Sequence, residues 1–312
     1  MFKYIIRRLL LAVLVIFGVI LIVFTILNMT PGDPGRMILG QMAKQEAVDQ
    51  LNHELGYDQP FFVRLLDYVK NIVLHFDFGN SYTSGKPVFK EIWTRFPVTL
   101  KLALFSALFS SIIGVTLGVI SAVKQYSILD NICSITAMFF ASAPDFWVGL
   151  MLLAVFAMKL HWLPSFGIKS ELGFILPIIT LTLFCSAGIL RMTRSSMLDV
   201  VYQDYVRTAR AKGASKTTRI WKHELKNALL PVLTAIGLNF GSLFGGAVTT
   251  EMVFSLPGVG SMLVTAVKNK DIPQAMAGVI FLATVFSLIM LAVDIIQAFV
   301  DPRVKARYAG GK

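Results

Sequence analysis

The chain has 312 residues, of which 55% are hydrophobic and only 15% are charged. Soluble domains usually carry about 25% charged residues, so this composition, with a mean hydropathy of +0.69, excludes an ordinary soluble protein. The formal net charge of +11 leaves two classes open: a nucleic-acid-binding protein, or a membrane protein with basic loops on one side. The two cysteines, Cys133 and Cys185, lie in apolar runs and do not indicate a disulfide framework.

Six segments have the length and apolarity of membrane-spanning helices, which need about 20 mostly apolar residues. In chain order these predicted spans are Leu9–Leu27, Leu100–Val123, Ile132–Met158, Phe174–Leu190, Leu229–Val248 and Gln274–Val300. The third span is interrupted by Ala143-Pro144-Asp145, which indicates a helix break because proline cannot donate a backbone hydrogen bond. The sequence therefore predicts an all-α membrane protein with six transmembrane helices.

The first span has the basic start of a signal peptide, with Lys3, Arg7 and Arg8 before the apolar run. The run is long enough to cross a bilayer, however, and it ends at Asn28-Met29-Thr30-Pro31 without a small-residue cleavage site. We therefore interpret residues 1–29 as a cytoplasmic end followed by a retained anchor helix.

Residues 30–98 form the longest segment between predicted spans. They begin with a rigid turn at Thr30-Pro31-Gly32-Asp33-Pro34-Gly35, because proline fixes φ and glycine tolerates positive φ. Apolar residues at helical spacing then predict two short amphipathic helices, at Glu46–Leu55 and around Phe61–Leu74. The segment is either a packing lid without a ligand or a docking surface for an external partner.

Three acidic residues lie within or beside the predicted spans: Asp145, Glu251 and Asp294. Acids at membrane depth are costly and are functional candidates by default. These three do not form the chain of acids across several helices that a proton-coupled transporter would need. We expect Asp145 to accompany the helix break and Asp294 to be solvated near a span end. Two glycine pairs are spaced for close helix packing: Gly114 with Gly118, and Gly241 with Gly245.

The basic residues predict the orientation. With the N-terminus inside, 17 basic residues lie inside and 12 outside, or 17 against 4 when the long loop from Arg36 to Lys101 is left out. Long loops translocate largely regardless of charge, so the second comparison is the informative one. Nine of the inside residues lie between Arg191 and Lys226, and four lie in the tail: Arg303, Lys305, Arg307 and Lys312. Both termini are predicted to be cytoplasmic, and the positive charge indicates topology, not nucleic-acid binding.

The loop between the fourth and fifth spans is also patterned. Apolar residues at helical spacing predict a first helix from Met197 to Ala209 and a second one containing Ile220, Trp221 and Leu225. Lys212-Gly213-Ala214-Ser215 breaks the pattern, since Gly213 suits a left-handed helix C-terminus and Ser215 suits a helix N-cap. The loop is either a basic helix on anionic headgroups or a two-helix projection that docks into a cytosolic partner. The glycine break favours the projection.

Two segments resemble catalytic motifs, but neither has the complete motif. Gly79–Lys86 has five residues between its glycines, and Pro87 follows the lysine, so it is not a phosphate-binding loop. After His223-Glu224, Asn227 stands where a zinc protease needs its second histidine. We expect no catalytic, cofactor or metal site in this chain, and therefore no enzyme activity of its own.

Residues 204–213 read Asp-Tyr-Val-Arg-Thr-Ala-Arg-Ala-Lys-Gly. This loop resembles the cytoplasmic signature loop of binding-protein-dependent ABC importer permeases, whose general pattern is Glu-Ala-Ala, three residues, Gly, nine residues and Ile-x-Leu-Pro. Three positions match that pattern: Ala209, Gly213 and Leu225. Four depart from it: Arg207, Thr208, His223 and Lys226. The Arg-Thr-Ala form is similar to the dipeptide, oligopeptide and nickel permease branch.

Three further segments resemble that branch, so the resemblance covers nearly the whole chain in order: Thr30-Pro31-Gly32-Asp33-Pro34, Phe96–Leu100 and Glu251–Gly260. It implies a type I ABC importer permease (MetI-like) fold and a place in the bacterial inner membrane. It also implies a second homologous permease, two cytosolic ATPases that bind ATP and magnesium, and an external solute-binding protein.

The resemblance further implies an anchor at 1–29, an external insertion at 30–98, a five-span permease core at 99–300 with a coupling loop at 191–228, and a cytoplasmic tail at 301–312. The residues expected to couple to the ATPases are Arg207, Thr208, Ala209, Arg210, Ala211, Lys212, Gly213, Ala214, Ser215, Trp221 and Leu225. The expected cargo is a di- or oligopeptide, nickel or another metal chelate. A stand-alone ion- or proton-coupled carrier and a non-transporting scaffold or receptor remain as alternatives, and the substrate-contacting residues stay open.

Overall fold

The structure is a computed structural model that describes residues 2–29, 33–40, 42–168 and 170–300. Within these ranges the chain is helical apart from its connections and one isolated β-bridge between Asn80 and Pro87. The predicted turn residues Thr30-Pro31-Gly32 and the predicted tail at 301–312 lie outside the described residues.

Thirteen α-helices occur in the described ranges. In chain order they are α1 (Phe2–Met29), α2 (Pro34–Leu39), α3 (Gln45–Glu54), α4 (Phe61–His75), α5 (Val88–Val123), α6 (Ile128–Ser142), α7 (Asp145–Leu152), α8 (Ile175–Val201), α9 (Asp204–Ala211), α10 (Lys216–Thr218), α11 (Lys226–Val253), α12 (Val259–Lys268) and α13 (Ile272–Val300). A π-helical segment, Arg219–Leu225, joins α10 to α11 as one continuous helix. Five helices have the length and apolarity of membrane spans: α1, α5, α8, α10 with α11, and α13.

The predicted third span is a bent helix pair and not a straight helix. Helices α6 and α7 meet at 105°, and a π-helical segment, Leu153–Lys159, continues α7. Pro144 causes the break, because the residue before a proline is pushed out of the helical region, and Ala143 is accordingly extended. Alone, α6 has 15 residues and a length of about 22 Å, which is shorter than the apolar core of a bilayer. The six-span prediction therefore holds when this pair is counted as one span.

Two helices extend beyond their predicted spans. Helix α5 begins at Val88, well before the predicted Leu100, and passes through Pro97. Helix α8 continues to Val201 instead of ending near Leu190. The predicted bounds were set by the apolar runs. The additional turns of α5 and α8 carry polar as well as apolar residues and pack against neighbouring helices.

Contacts between chain-distant residues define two opposite faces of the bundle. Arg8 and Asp294, with a nitrogen–oxygen distance of 2.9 Å, join the start of α1 to the end of α13 on the face that also carries α9. We call this the loop face. At the opposite end, which we call the insertion face, Ser81 donates a hydrogen bond of 2.5 Å to Asp271 just before α13. Asp294 was expected to be solvated; it is instead mostly buried and ion-paired.

Close packing of α5 on α8 forms the centre of the bundle. A Cβ atom on Gly114 would lie 2.7 Å from the Ile189 side chain, and one on Gly118 would lie 2.5 Å from Thr193. The predicted packing role of this glycine pair is therefore confirmed. The prediction is half right for the second pair, because Gly241 packs against Phe286 of α13 while Gly245 has nothing within 4 Å of an added Cβ.

The insertion between α1 and α5 is a small folded unit. Its helices α3 and α4 confirm the two predicted amphipathic helices. The side chain of Asn52 joins its beginning to α3, accepting a hydrogen bond of 2.8 Å from the Gly35 N–H and donating one of 2.7 Å to Asp33. Against the anchor helix, the rings of Phe24 and Phe61 lie 5.4 Å apart.

Asp271 fastens the insertion to the core. Its carboxylate is fully buried and accepts hydrogen bonds from the Ser81 hydroxyl and from the backbone and side chain of Thr83. Burial raises the pKa of this carboxyl, but the hydrogen bonds from Ser81 and Thr83 outweigh burial, so the pKa lies below its ordinary value. The insertion therefore sits on a fixed polar anchor at the start of α13.

Candidate coupling site

Helix α9 is a short, exposed helix on the loop face, between α8 and the helix that leads into α11. It starts directly after α8, with Gln203 in an extended conformation as its N-cap. Only Val206 and Ala209 of α9 are buried, so one narrow apolar edge holds the helix against the bundle. The remaining residues of α9 are exposed.

The C-terminus of α9 is a Schellman motif. The Gly213 N–H donates to the Arg210 carbonyl at 3.0 Å, and the Ala214 N–H donates to the Ala209 carbonyl at 3.1 Å. Gly213 has φ of 81°, which confirms the predicted left-handed residue. The space beside it is open, because an added Cβ would meet nothing within 4 Å.

Ser215 begins the next helix and confirms the predicted N-cap. Its hydroxyl accepts a hydrogen bond of 3.3 Å from the Thr218 N–H. That helix does not end after Leu225 as a separate short helix would; it continues without a break into α11. The predicted first helix, Met197 to Ala209, is also wrong as one element, because the chain turns at Tyr202 between α8 and α9. The projection is thus one short helix between two spanning helices.

The predicted coupling residues fall into an exposed and a buried group. The exposed ones are Arg207, Thr208, Arg210, Ala211, Lys212, Gly213, Ser215 and Trp221. Ala209 and Leu225 are buried and Ala214 is half-buried. Trp221, predicted as an apolar packing position, is 60% exposed. Exposure therefore separates the residues that solvent can reach from those that pack against the bundle.

Leu225 mounts the loop on the bundle. It packs in a cluster with Val119 and Ala122 at the end of α5, Met197 of α8 and Ala228 of α11. These four residues come from three spanning helices. The helix that follows α9 is therefore packed directly against the helix pair at the centre of the bundle.

A buried ion pair beside this cluster was not found from the sequence. The Asp130 carboxylate at the start of α6 accepts two hydrogen bonds from Arg194 of α8, at 2.7 and 2.9 Å. Ser121 and the Tyr126 backbone donate to the same carboxylate. The pair locks the α5–α6 turn onto α8. In the sequence, the pair is visible only as an acid and a base that each lie near the end of a predicted span. Because the two residues are 64 positions apart, the sequence gave no reason to pair them.

Glu224, part of the rejected zinc-like motif, is used in a second buried pair. Arg219 donates to its carboxylate at 2.9 Å, one turn along the π-helical segment. Within the described residues no group of three or more His, Cys, Asp or Glu side chains could hold a metal ion.

On the insertion face, Glu251 holds the segment that follows α11. Its buried carboxylate accepts hydrogen bonds from the Thr99 hydroxyl at 2.5 Å and from the Ser261 N–H at 2.8 Å. A Cβ on Gly258 would lie 2.1 Å from that carboxyl group, so the tight turn needs glycine. The Glu251–Gly260 segment is thus a structural clamp between α5, α11 and α12.

Asp145 lies at the bend of the α6–α7 pair. One of its oxygens accepts a hydrogen bond of 2.7 Å from the Phe146 N–H in the first turn of α7, and the other accepts one of 2.7 Å from the Thr249 hydroxyl of α11. The same side of α11 leaves Ser242 and Gly245 exposed. This polar, small-residue face differs from α1 and α5, whose exposed side chains are mostly large and apolar.

These features define a multi-span helical membrane protein with a short exposed helix mounted on one face of its bundle. Comparison with known protein families gives the particular class. Residues 114–306 match the model described as "Binding-protein-dependent transport system inner membrane component", and residues 1–103 match the N-terminal model of the same system. The chain belongs to this family of ABC importer permeases and is an inner-membrane transport component.

Two curated relatives match nearly the whole chain. The dipeptide transport system permease protein DppB of Alkalihalophilus pseudofirmus is 40% identical, with 98% of this chain and 100% of the relative covered. The glutathione transport system permease protein GsiC of Escherichia coli K12 is 40% identical, with 98% and 99% covered.

Solved structures show the same fold. The inward-facing MetNI methionine ABC transporter matches with a TM-score of 0.58 at 19% identity, covering 68% of this chain and 96% of that chain. A second, an amino acid ABC transporter, matches with a TM-score of 0.51 at 15% identity, covering 69% and 94%. The predicted MetI-like fold is therefore confirmed.

Proposed function

We propose that this chain is a permease subunit of an ATP-driven importer for short peptides. The main support is that the chain is 40% identical, over nearly its full length, to permeases named for dipeptide and glutathione transport. Both named cargoes are small peptides with free charged ends. Nickel and other metal chelates, which the sequence resemblance also implied, are tested as competing cargoes.

The partners follow from the family. A second homologous permease completes the pathway, an external solute-binding protein delivers cargo, and two cytosolic ATPases bind ATP and magnesium. This chain itself needs no cofactor. Helix α9 is the docking element for one ATPase, with Thr208, Ala211 and Lys212 on its outward side. The support is the packing of α9 against the helix that carries Leu225, because movement of that helix can favour one of two packings of the bundle.

The distribution of basic residues supports an orientation with the loop face in the cytoplasm. Nine basic residues lie between Arg191 and Lys226, around α9. The insertion face is then external, and residues 30–98 are a platform on which a binding protein docks. The alternative of a packing lid predicts that exposed residues of α3 and α4 can be changed without effect on uptake.

The polar face around Asp145 supports a pathway wall. A carboxylate beside Thr249, Ser242 and Gly245 fits water and a charged cargo better than lipid chains. Peptides carry an N-terminal ammonium group, which this carboxylate can attract. Replacing Asp145 with asparagine keeps the hydrogen-bond acceptor for Thr249 and removes the charge. Uptake of peptides with a free N-terminus is expected to fall, while assembly stays unchanged.

Competitive uptake in a deletion strain tests the proposal. Cells lacking this gene should lose uptake of a labelled dipeptide, and the plasmid-borne gene should restore it. Unlabelled dipeptides, oligopeptides, haem, glutathione and nickel chelates are then added as competitors. Competition by peptides supports the proposal, and competition by nickel chelates alone overturns its cargo. Uptake by purified chain without ATP would instead identify a stand-alone carrier, and unchanged uptake would indicate a scaffold or receptor.

A further inference from the structure

A cavity of about 470 Å³ lies behind α9 on the loop face. Its apolar lining comes from Ala122 and Val123 at the end of α5 and from Leu198 and Val201 in the last turns of α8. The α5 residues lie at the end of that helix's apolar run, and the α8 residues lie in the turns that continue α8 beyond Leu190. The cavity therefore lies past the apolar part of both helices, on the side where polar headgroups would begin.

The polar lining of this cavity is strongly basic. It includes Arg207 and Arg210 of α9, Lys216 of α10, and the ion pair between Arg219 and Glu224. Glu224 is the one acid among the lining residues, and it is already paired with Arg219. None of the ion pairs in the described part of the chain uses Arg207, Arg210 or Lys216. Three positive charges thus surround one cavity without an internal counter-charge.

We propose that this cavity binds a phosphate-class anion, supplied either by the headgroup of an anionic phospholipid or by free phosphate. Two guanidinium groups, at i and i+3 of one helix, match the planar, bidentate recognition of phosphate oxygens. Tyr202 and Gln125 add neutral hydrogen-bonding groups to the lining. The proposal does not depend on the importer role or on the cargo.

The anion would brace α9 from behind. Arg207 and Arg210 were predicted to contact an ATPase, but both line the cavity between α9 and the bundle. A bound phosphate would tie these arginines to the ends of α5 and α8. The outward residues of α9, among them Thr208 and Lys212, are left for the partner protein.

Native mass spectrometry of the full-length chain, purified with its partner subunits, tests this site. The complex is placed in nanodiscs of phosphatidylcholine with or without phosphatidylglycerol, and retained lipid is counted after release. Inorganic phosphate is titrated separately in phosphatidylcholine nanodiscs, which distinguishes the two sources. The R207Q/R210Q variant is expected to weaken anion retention by about fivefold for each arginine removed.

The matched control is K222Q/K226Q, which removes two exposed charges from the adjoining helix outside the cavity. It should retain the anion like the wild type, whereas R207K/R210K keeps the charge but loses the planar guanidinium groups and should retain the anion only in part. Melting temperatures in phosphatidylcholine identify any variant that fails to fold. Arginine-dependent binding of phosphatidylglycerol or of phosphate supports the site. Equal losses in R207Q/R210Q and the control, or no anion preference in the wild type, overturn it.

Discussion

Gly213 is the residue on which the shape of the loop depends. Its left-handed φ of 81° lets two backbone N–H groups close the C-terminus of α9 and turn the chain toward Ser215. The open space beside it means that a substitution acts through the backbone and not through a clash. The sequence predicted this position correctly, because a glycine between two helical patterns is typical of a left-handed helix C-terminus.

Replacing Gly213 tests this backbone requirement. A β-branched residue in the left-handed region costs about 1–2 kcal/mol, whereas asparagine tolerates it better. We expect G213V to reduce both ATPase co-purification and uptake, and G213N to reduce them less. Equal, normal values for both variants would show that the turn is not needed for docking.

The contact between Asp130 and Arg194 could not be predicted from the sequence. The two residues are far apart in the chain, and only the packing of α6 on α8 brings them together. Glu251 and Asp271 are similar, since each is buried by partners more than 150 positions away. Of these acids only Glu251 was singled out from the sequence, and its hydrogen-bond partners were not predicted.

Breaking the Asp130–Arg194 pair should destabilise the loop face. D130A leaves Arg194 without its acceptor and is expected to cost about 3 kcal/mol, because Asp130 is only 3% exposed. D199A removes an exposed acid from the same α8 helix and should change stability by less than about 0.5 kcal/mol. Thermal unfolding of both variants measures the difference. Similar melting temperatures would show that the pair contributes little.

Acid should loosen the anchor of the insertion. The pKa of Asp271 lies below its ordinary value of 3.8, so its stabilisation is present above that pH and is lost as the pH falls through the lower folded pKa. Melting temperatures of the wild type should therefore fall as the pH drops below about 4, the ordinary carboxyl pKa. D271N should be less stable at neutral pH but show a shallower fall. Parallel curves would assign the acid sensitivity to other groups.

At the scale of helices, hydropathy located the spans but not their ends. Helix α5 begins twelve positions before its predicted start because its first turns pack on the insertion, and helix α8 extends past Arg191 because it packs against α5. Pro144 was a visible break, yet the 105° angle between α6 and α7 depends on what α7 packs against. Local signals therefore determined the elements, and tertiary packing decided their lengths and directions.

Gly118 tests the contact between α5 and α8. An alanine there would place its Cβ 2.5 Å from Thr193 and 2.8 Å from the Leu190 carbonyl. Such overpacking typically costs about 1–3 kcal/mol, so G118A should lower the melting temperature in detergent. G18A is the matched control, because α1 leaves that position open. If G118A and G18A melt alike, the two helices are not packed as closely as described.

At the scale of the whole molecule, two faces are built for different tasks. The insertion face is rigid, with Asp271 and Glu251 buried among hydrogen-bond donors. The loop face presents the short helix α9 against a following helix, which itself packs on α5 and α8 through Leu225. We propose that an ATPase contacts this helix and drives import through it.

Site-specific cross-linking tests that claim most directly. In a C133A/C185A background, T208C on the outward side of α9 and E54C on α3 are compared in the assembled complex. We expect T208C to cross-link to an ATPase subunit, with a yield that changes when ATP is added, and E54C to give no such product. An ATPase product from E54C, or none from T208C in a complex that still contains the ATPases, would contradict the assignment of α9.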